Sequence, residues 1–192
     1  MQSRNSSKAG SRKNRGRAAA LLVGLALAQG LMAQNVELAV SRDGGQAVVD
    51  VRLAWPDTAG LLSSLKEDLL ESRISFSVRL LENRRTLLPF LGDTVVKEIV
   101  LSRSAFYDFL RGVYVVENDS GEEVLCDHPE DLLDAFFSWR GIHVEIDRSL
   151  SQPSVAARVQ FDPVKLMPPL TIVSLAGPTG TYTSPWVQRR LP

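Results

Sequence analysis

Apolar and polar side chains alternate along residues 73–81 of this chain, strictly so up to Leu80. The apolar set is Ile74, Phe76, Val78 and Leu80, and the polar set is Arg73, Ser75, Ser77 and Arg79. Because successive side chains of a strand point to opposite faces, this period of two predicts a strand that is buried on one face only. One face should pack on the core, and the other should meet solvent.

Further runs rich in branched and aromatic residues predict more strands. They cover residues 36–40, 47–53, 94–102, 112–117, 122–126, 142–146, 155–161, 170–176 and 181–187. Turn-forming residues at 42–45, 118–121 and 177–180 predict hairpins between the flanking runs. Residues 87–91 form an unusually apolar connection, which is predicted either to fold back on the core or to project as a contact patch.

Two segments show helical spacing instead. The first is predicted to begin at Asp57 or Thr58 and to run to about Ser72, with Leu61, Leu62, Leu65 and Leu69 on its buried side. The second is predicted to begin at Pro129 and to end at Gly141. Its expected buried face consists of Leu132, Leu133, Phe136, Phe137 and Trp139. Either Asp127 or His128 is expected to cap this second helix.

About nine strands and two helices predict an α+β fold, mainly antiparallel, with the two helices packed on the sheet. The size of the chain after its first 33 residues suits one domain with one core, so residues 34–192 are predicted to form a single domain.

The first 33 residues have a different character. Residues 1–17 are polar and basic, whereas residues 18–32 are almost entirely apolar, and Ala33 supplies a small residue after them. This order is typical of a secretory signal peptide, with cleavage expected between Ala33 and Gln34. The alternative is an uncleaved membrane anchor whose basic end stays in the cytoplasm. Either reading predicts an exported protein.

Charge and cysteine content narrow the partners and the chemistry. The chain has 22 basic and 22 acidic residues, and six of the basic residues lie in the first 33 residues, so the remainder carries 16 basic against 22 acidic residues. An acidic body argues against nucleic acid as a partner, because phosphate binding needs a basic face. Cys126 is the single cysteine, which excludes an intramolecular disulfide, and it is expected to be buried.

Three arrangements of side chains could carry chemistry. Cys126 and His128 offer a thiol beside an imidazole, His143 and Glu145 share one face of a predicted strand, and residues 177–181 superficially resemble a phosphate loop. Each is better explained structurally, as helix capping, a solvent-facing strand surface and a turn. No catalytic, cofactor-binding or metal-binding residue is therefore assigned, and no cofactor is expected.

The order of these features resembles a bacterial envelope family known as domain-of-unknown-function family 4390, over roughly residues 68–187. The resemblance lies in the alternating strand 74–80, the segment 101–116, the segment 129–139, the segment 157–170 and the region of Trp186. The matching positions include Tyr107, Leu110, Tyr114, Asp162, Leu166 and Pro168. Residues 84–91 replace the aromatic-rich stretch that members usually carry. The resemblance implies an exported or singly anchored protein, periplasmic or on the outer face of the cytoplasmic membrane, with an envelope signalling or support role and no known catalytic residues.

These observations favour a non-enzymatic exported protein that binds another envelope protein or a peptide, through an open sheet edge. Membrane contact is expected through the N-terminal segment if it is not cleaved. Two alternatives stay open. One is a hydrolase or thiol enzyme that uses Cys126 and His128, and the other is a carrier of an apolar ligand between the sheet and the helix that bears Leu61 and Leu69.

Overall fold

The computed structural model describes residues 36–83, 92–165 and 180–192. These residues fall in one compact unit, Gln34–Pro192, and form ten strands and two helices. The strands are β1 (Val36–Asp43), β2 (Gln46–Leu53), β3 (Glu71–Glu82), β4 (Thr94–Asp108), β5 (Val113–Asn118), β6 (Glu123–Cys126), β7 (Ser138–Glu145), β8 (Pro153–Lys165), β9 (Tyr182–Thr183) and β10 (Val187–Arg190). The helices are α1 (Thr58–Lys66) and α2 (Pro129–Phe137). All pairings are antiparallel, so the predicted α+β, mainly antiparallel fold is confirmed.

The larger sheet has seven strands in the order β10-β8-β3-β4-β5-β6, and the short strand β9 also pairs with β8. Strand β3 lies in its middle and pairs with β4 on one side and β8 on the other. The predicted alternation along β3 is confirmed, since Ile74, Phe76, Val78 and Leu80 are each at most 1% exposed. Their burial on one side defines the inner face of this sheet.

The smaller sheet has the order β1-β2-β7. Its first hairpin turns at Gly44 and Gly45, and Gly44 has a φ of +57°, which glycine adopts without strain. The apolar side chains of β1, β2 and β7 join those of β3 and β8 and of both helices in one hydrophobic core. A single shared core of this kind explains why the strands of the two sheets fold as one unit.

Helix α1 begins as predicted, because the carboxylate of Asp57 accepts a hydrogen bond from the amide of Gly60 at 3.0 Å. The predicted end near Ser72 is wrong. Leu69 has a φ of +53° and is 61% exposed, so it lies outside the buried face to which it was assigned. A backbone in this left-handed conformation cannot continue a helix, and β3 begins at Glu71.

Helix α2 begins at Pro129 as predicted, but it ends at Phe137 rather than near Gly141. The hydroxyl of Ser138 donates to the carbonyl of Asp134 at 2.5 Å, and the backbone of Ser138 is already extended. Trp139 and Gly141 therefore belong to β7 instead of the helix. The indole of Trp139 packs edge-on against Phe76, which keeps it in contact with the core.

Other boundaries also differ from the predictions. Strand β4 continues to Asp108, well past the predicted end at Ser102. The predicted strand 181–187 is two short strands, β9 and β10, because Pro185 between them has no amide hydrogen to donate. Both pair with β8. The leader 1–33, the apolar connection 87–91 and the predicted strand 170–176 lie outside the described residues.

Candidate functional site

Cys126 is the last residue of β6 and is 2% exposed, so its predicted burial is confirmed. Its sulfur lies 4.0 Å from the carbonyl oxygen of Val124. Burial raises the pKa of the Cys126 thiol, and the carboxylates of Asp131 and Asp127 raise it further. A nucleophilic cysteine needs the opposite, a lowered pKa that supplies thiolate at neutral pH. The surroundings of Cys126 therefore disfavour the thiolate.

His128 precedes α2 and is one of the two residues predicted to cap this helix. It holds the N-cap position, but the side-chain hydrogen bond expected of a cap is not formed, and Pro129 follows at the first helical position. The acidic residues Glu130 and Asp131 lie in the first turn, where they interact favourably with the helix dipole.

His143 and Glu145 lie on the exposed face of β7, as predicted. The Nδ1 atom of His143 is 3.1 Å from Oε1 of Gln46, and Oε2 of Glu145 is 3.8 Å from Nζ of Lys97. In the part of the chain that the structure describes, no three His, Cys, Asp or Glu side chains are grouped so as to hold a metal ion. The pair serves as a polar strand surface.

The remaining candidates are distributed as follows. Leu61 and Leu65 of α1 are at most 4% exposed and belong to the core, whereas Leu69 points away from it. Residues 177–179 of the glycine-rich turn lie outside the described residues, and Gly180 and Thr181 precede β9 in irregular structure.

Strand β6 instead provides an unpaired edge with exposed apolar side chains. This strand is one of the two terminal strands of the seven-stranded sheet, and among the described residues no strand pairs with its outer side. Val124 is 48% exposed and Leu125 is 55% exposed. Since neighbouring residues of a strand point to opposite faces, one apolar side chain is presented on each side of this edge.

A second exposed apolar element adjoins the strand, at the turn between β4 and β5. Phe109 is 75% exposed and Leu110 is 97% exposed. The carboxylate of Asp108 accepts hydrogen bonds from the amides of Leu110 at 2.9 Å and Arg111 at 3.1 Å, which fixes the turn. An ion pair between Arg111 and Glu123, at 3.4 Å, links this turn to β6. We call Phe109, Leu110, Val124 and Leu125 together the β6 edge surface.

The start of β6 is fixed by the turn that precedes it. The side-chain oxygen of Asn118 accepts hydrogen bonds from the amides of Ser120 at 3.0 Å and Glu122 at 2.9 Å. Gly121 has a φ of +80°, a conformation that other residues rarely adopt. The predicted hairpin at residues 118–121 is therefore confirmed, and it fixes the start of β6.

A cleft of about 310 Å³ opens beneath the strand, on the side that faces the core. Val116 and Val124 line it from the sheet, and Ala135 and Ser138 line it from the C-terminal end of α2. Its polar lining consists of Arg103, Asn118, Glu122, Asp134 and Arg140. A strand added beside β6 would place alternate side chains over this cleft.

Arg103 organises the inner wall of the cleft. Its guanidinium donates to the carbonyl oxygens of Ala135 and, at 2.8 Å, Ser138, and it stacks 3.9 Å from the ring centre of Trp139. Burial lowers the pKa of Arg103, and the carboxylate of Glu122 opposes that effect. The arginine thus satisfies carbonyl groups at the end of α2, where a positive charge is favoured.

Sequence reasoning did not identify Arg103 or the β6 edge surface. The pattern did contain one indication, because Leu101, Arg103 and Ala105 share one parity along β4, which places a cation among inward-facing residues. A second indication was the adjacent pair Val124 and Leu125. Because consecutive side chains of a strand point to opposite faces, only one of these two apolar side chains can face the core.

Comparisons of the chain with protein-family models, with curated proteins and with solved structures find no match. In the three described ranges, neither helix is both long and apolar enough to cross a bilayer.

Proposed function

We propose that this protein is a binding module that accepts an extended segment of another protein along β6. The observation that carries this proposal is the pair of exposed apolar residues, Val124 and Leu125, on the strand that terminates the larger sheet. In this mode of recognition, backbone hydrogen bonds provide affinity, and alternate side chains provide specificity.

The surroundings of β6 support the proposal. The fixed turn that presents Phe109 and Leu110 extends the apolar surface beyond the strand. The cleft beside Val124 offers space for a side chain of the added segment. Binding clefts commonly combine an apolar wall with a few fixed polar groups, and Arg103 and Glu122 are such groups here.

The experiment is a selection of short peptides on the purified protein, followed by affinity measurements for the peptides recovered. We expect the selected peptides to bind the wild-type protein and to lose binding when Val124 or Leu125 is replaced by lysine. Methylation of alternate backbone amides of the peptide should also abolish binding, because the added strand needs those donors. A Val124→Lys, Leu125→Lys double variant that recovers the same peptides with unchanged affinity would overturn the proposal.

Val100 supplies a matched control for these substitutions. It is 58% exposed, so it resembles Leu125 in accessibility, but it lies on β4, opposite Ser77 of β3 and two strands away from β6 in the sheet. We expect the Val100→Lys variant to bind the selected peptides as the wild-type protein does. Thermal unfolding of all variants establishes that lost binding reflects the surface rather than lost folding.

We further propose that the module works outside the cytoplasm, in the cell envelope, in a signalling or support role. The support is the basic and then apolar order of residues 1–33 and the resemblance to domain-of-unknown-function family 4390. Intact-mass spectrometry of protein recovered from its native envelope tests this. We expect a chain that begins at Gln34, and freely soluble cytosolic protein that retains Met1 would count against export.

A further inference from the structure

The segment that forms β5, β6 and α2 is strongly acidic. Residues 112–139 contain eight carboxylates and no lysine or arginine. The carboxylates are Glu117, Asp119, Glu122, Glu123, Asp127, Glu130, Asp131 and Asp134. Since the proposed binding edge lies in the middle of this segment, its partner must approach through the field of these charges.

Part of this charge is balanced within the fold. Asp119 pairs with Arg73 at 3.1 Å, Glu123 with Arg111 at 3.4 Å and Asp134 with Arg140 at 2.8 Å. Glu122 accepts a hydrogen bond from the side-chain amide of Asn118 at 3.1 Å and lies near Arg103. The acids nearest the start of β6 are therefore already in part compensated.

The acids that follow β6 are not balanced in this way. Asp127, Glu130 and Asp131 are exposed, and no lysine or arginine of residues 36–83, 92–165 or 180–192 forms an ion pair with them. Burial raises the pKa of the Cys126 thiol, and the nearby carboxylates of Asp131 and Asp127 raise it further. A negative potential thus persists at the end of the strand.

The order of charges along the edge defines a pattern. Glu122 and Glu123 stand at one end, Val124 and Leu125 in the middle, and Asp127 at the other end, with Glu130 and Asp131 beyond it. Residues that face each other across paired strands are stabilised when both are apolar or when their charges are opposite. A segment complementary to this pattern has two apolar residues in its middle and basic residues on both sides of them. This holds whether the segment runs parallel or antiparallel to β6.

A second copy of this chain does not fit the pattern. Pairing two β6 strands would bring glutamate or aspartate against glutamate or aspartate at both ends of the strand. Like charges directly opposite each other destabilise a strand pair, and like-charged juxtaposition suppresses wrong partners.

Building on the proposed function, we propose that the occupant of β6 is an extended segment of another protein in which two apolar residues are flanked on each side by lysine or arginine. The apolar pair contacts Val124 and Leu125, and the flanking cations meet the carboxylates at both ends of the strand. Electrostatic attraction then brings the segment to the edge before backbone pairing begins.

Three synthetic peptides test this inference by fluorescence anisotropy on the full chain. Each has a central isoleucine-valine pair, flanked on each side by two lysines, two glutamines or two glutamates. We expect the lysine peptide to bind at least about tenfold more tightly than the glutamine peptide and the glutamate peptide not to bind. Raising the salt to about 0.5 M should weaken the lysine peptide severalfold, because exposed charges are then screened.

A variant pair localises the effect. The double variant Asp127→Asn, Glu130→Gln removes two acids that form no ion pair within the described part of the chain. We expect it to lower the affinity for the lysine peptide about two- to fivefold per charge and to leave the affinity for the glutamine peptide unchanged. Glu37→Gln is the control, since Glu37 is an exposed acid on β1 of the smaller sheet. Equal loss of affinity in the control would overturn the assignment of the charges to this edge.

The outcomes separate the two proposals. Equal binding of the lysine and glutamine peptides overturns the basic partner and leaves the proposed binding edge intact. Preferred binding of the glutamate peptide, or dimerisation of the chain that Leu125→Lys abolishes, also overturns it. If no peptide binds, the basic partner is overturned, and the peptide selection then decides whether the edge binds any extended segment.

Discussion

Replacing Arg103 by methionine should destabilise the fold although it leaves the hydrophobic core untouched. The guanidinium of Arg103 donates to the carbonyl oxygens of Ala135 and Ser138 where α2 ends and stacks on Trp139. Methionine retains an unbranched apolar stem that can still cover the indole. The substitution therefore removes the donors and the charge while it keeps most of the packing.

The size of the loss follows from these contacts. A hydrogen bond from a charged donor contributes about 1.5–3 kcal/mol, and the cation–π contact at a partly exposed site contributes about 0.5–1 kcal/mol. The favourable position at the helix end acts through the same carbonyl groups, so it is not counted again. Because Arg103 is only half-buried, solvent weakens each contribution. We expect a loss of about 2–3 kcal/mol in the free energy of unfolding.

Arg140→Met is the matched control, because Arg140 lines the same cleft but forms an exposed ion pair with Asp134 at 2.8 Å. Such exposed pairs contribute about 0–1 kcal/mol. Urea unfolding followed by circular dichroism gives both free energies, and the two slopes should agree with that of the wild-type protein. If Arg103→Met loses no more stability than Arg140→Met, the assigned role of Arg103 at the end of α2 is wrong.

Three further outcomes are expected. Cys126 should resist iodoacetamide until denaturant is added, and rapid labelling of the folded protein would instead favour the thiol enzyme. Because the pKa of the Cys126 thiol is raised in the folded protein, its contribution to stability should be present at neutral pH and should fall as the pH rises above the ordinary pKa of a thiol. The Cys126→Ala variant should lack this fall. Leu69→Gly should raise the free energy of unfolding by about 0.5–1 kcal/mol, because glycine adopts the positive φ of this position without strain. The control Asp68→Gly should lower the free energy of unfolding, and the reverse order in urea unfolding would refute this reasoning. Phe76→Ala should cost about 3–5 kcal/mol by the same measurement, and a loss near that of the exposed Val100→Ala would contradict its place in the core.

Local chemistry accounts for the parts of the fold that could be predicted from the sequence. The alternation along β3 and the turn residues Gly44 and Asn118 act within a few positions of themselves, and the structure confirms each of them. The cap of α1 by Asp57 is similarly local.

The errors arose where distant contacts decide. Leu69 and Trp139 continue the apolar spacing of the predicted helices, but Leu69 lies in the connection between α1 and β3, and Trp139 belongs to β7, where it contacts Phe76 and Arg103. Likewise, nothing in the order of residues shows that β6 ends the larger sheet, because that depends on pairing between strands far apart in the chain. The position of the candidate site could therefore not be predicted, although the sequence analysis did propose binding at an open sheet edge.

The β6 edge surface is formed before any partner arrives. The turn at Asp108 fixes one flank, the turn at Asn118 fixes the start of the strand, and the buried Cys126 fixes its end. Ordering a flexible loop on association would reduce affinity, and a preformed edge avoids that loss. In the proposed binding mode the bound segment must itself become ordered, so its affinity depends on the contacts that the edge provides. Two exposed apolar residues offer little area, and this is why the charges at both ends of the strand should decide which segments bind.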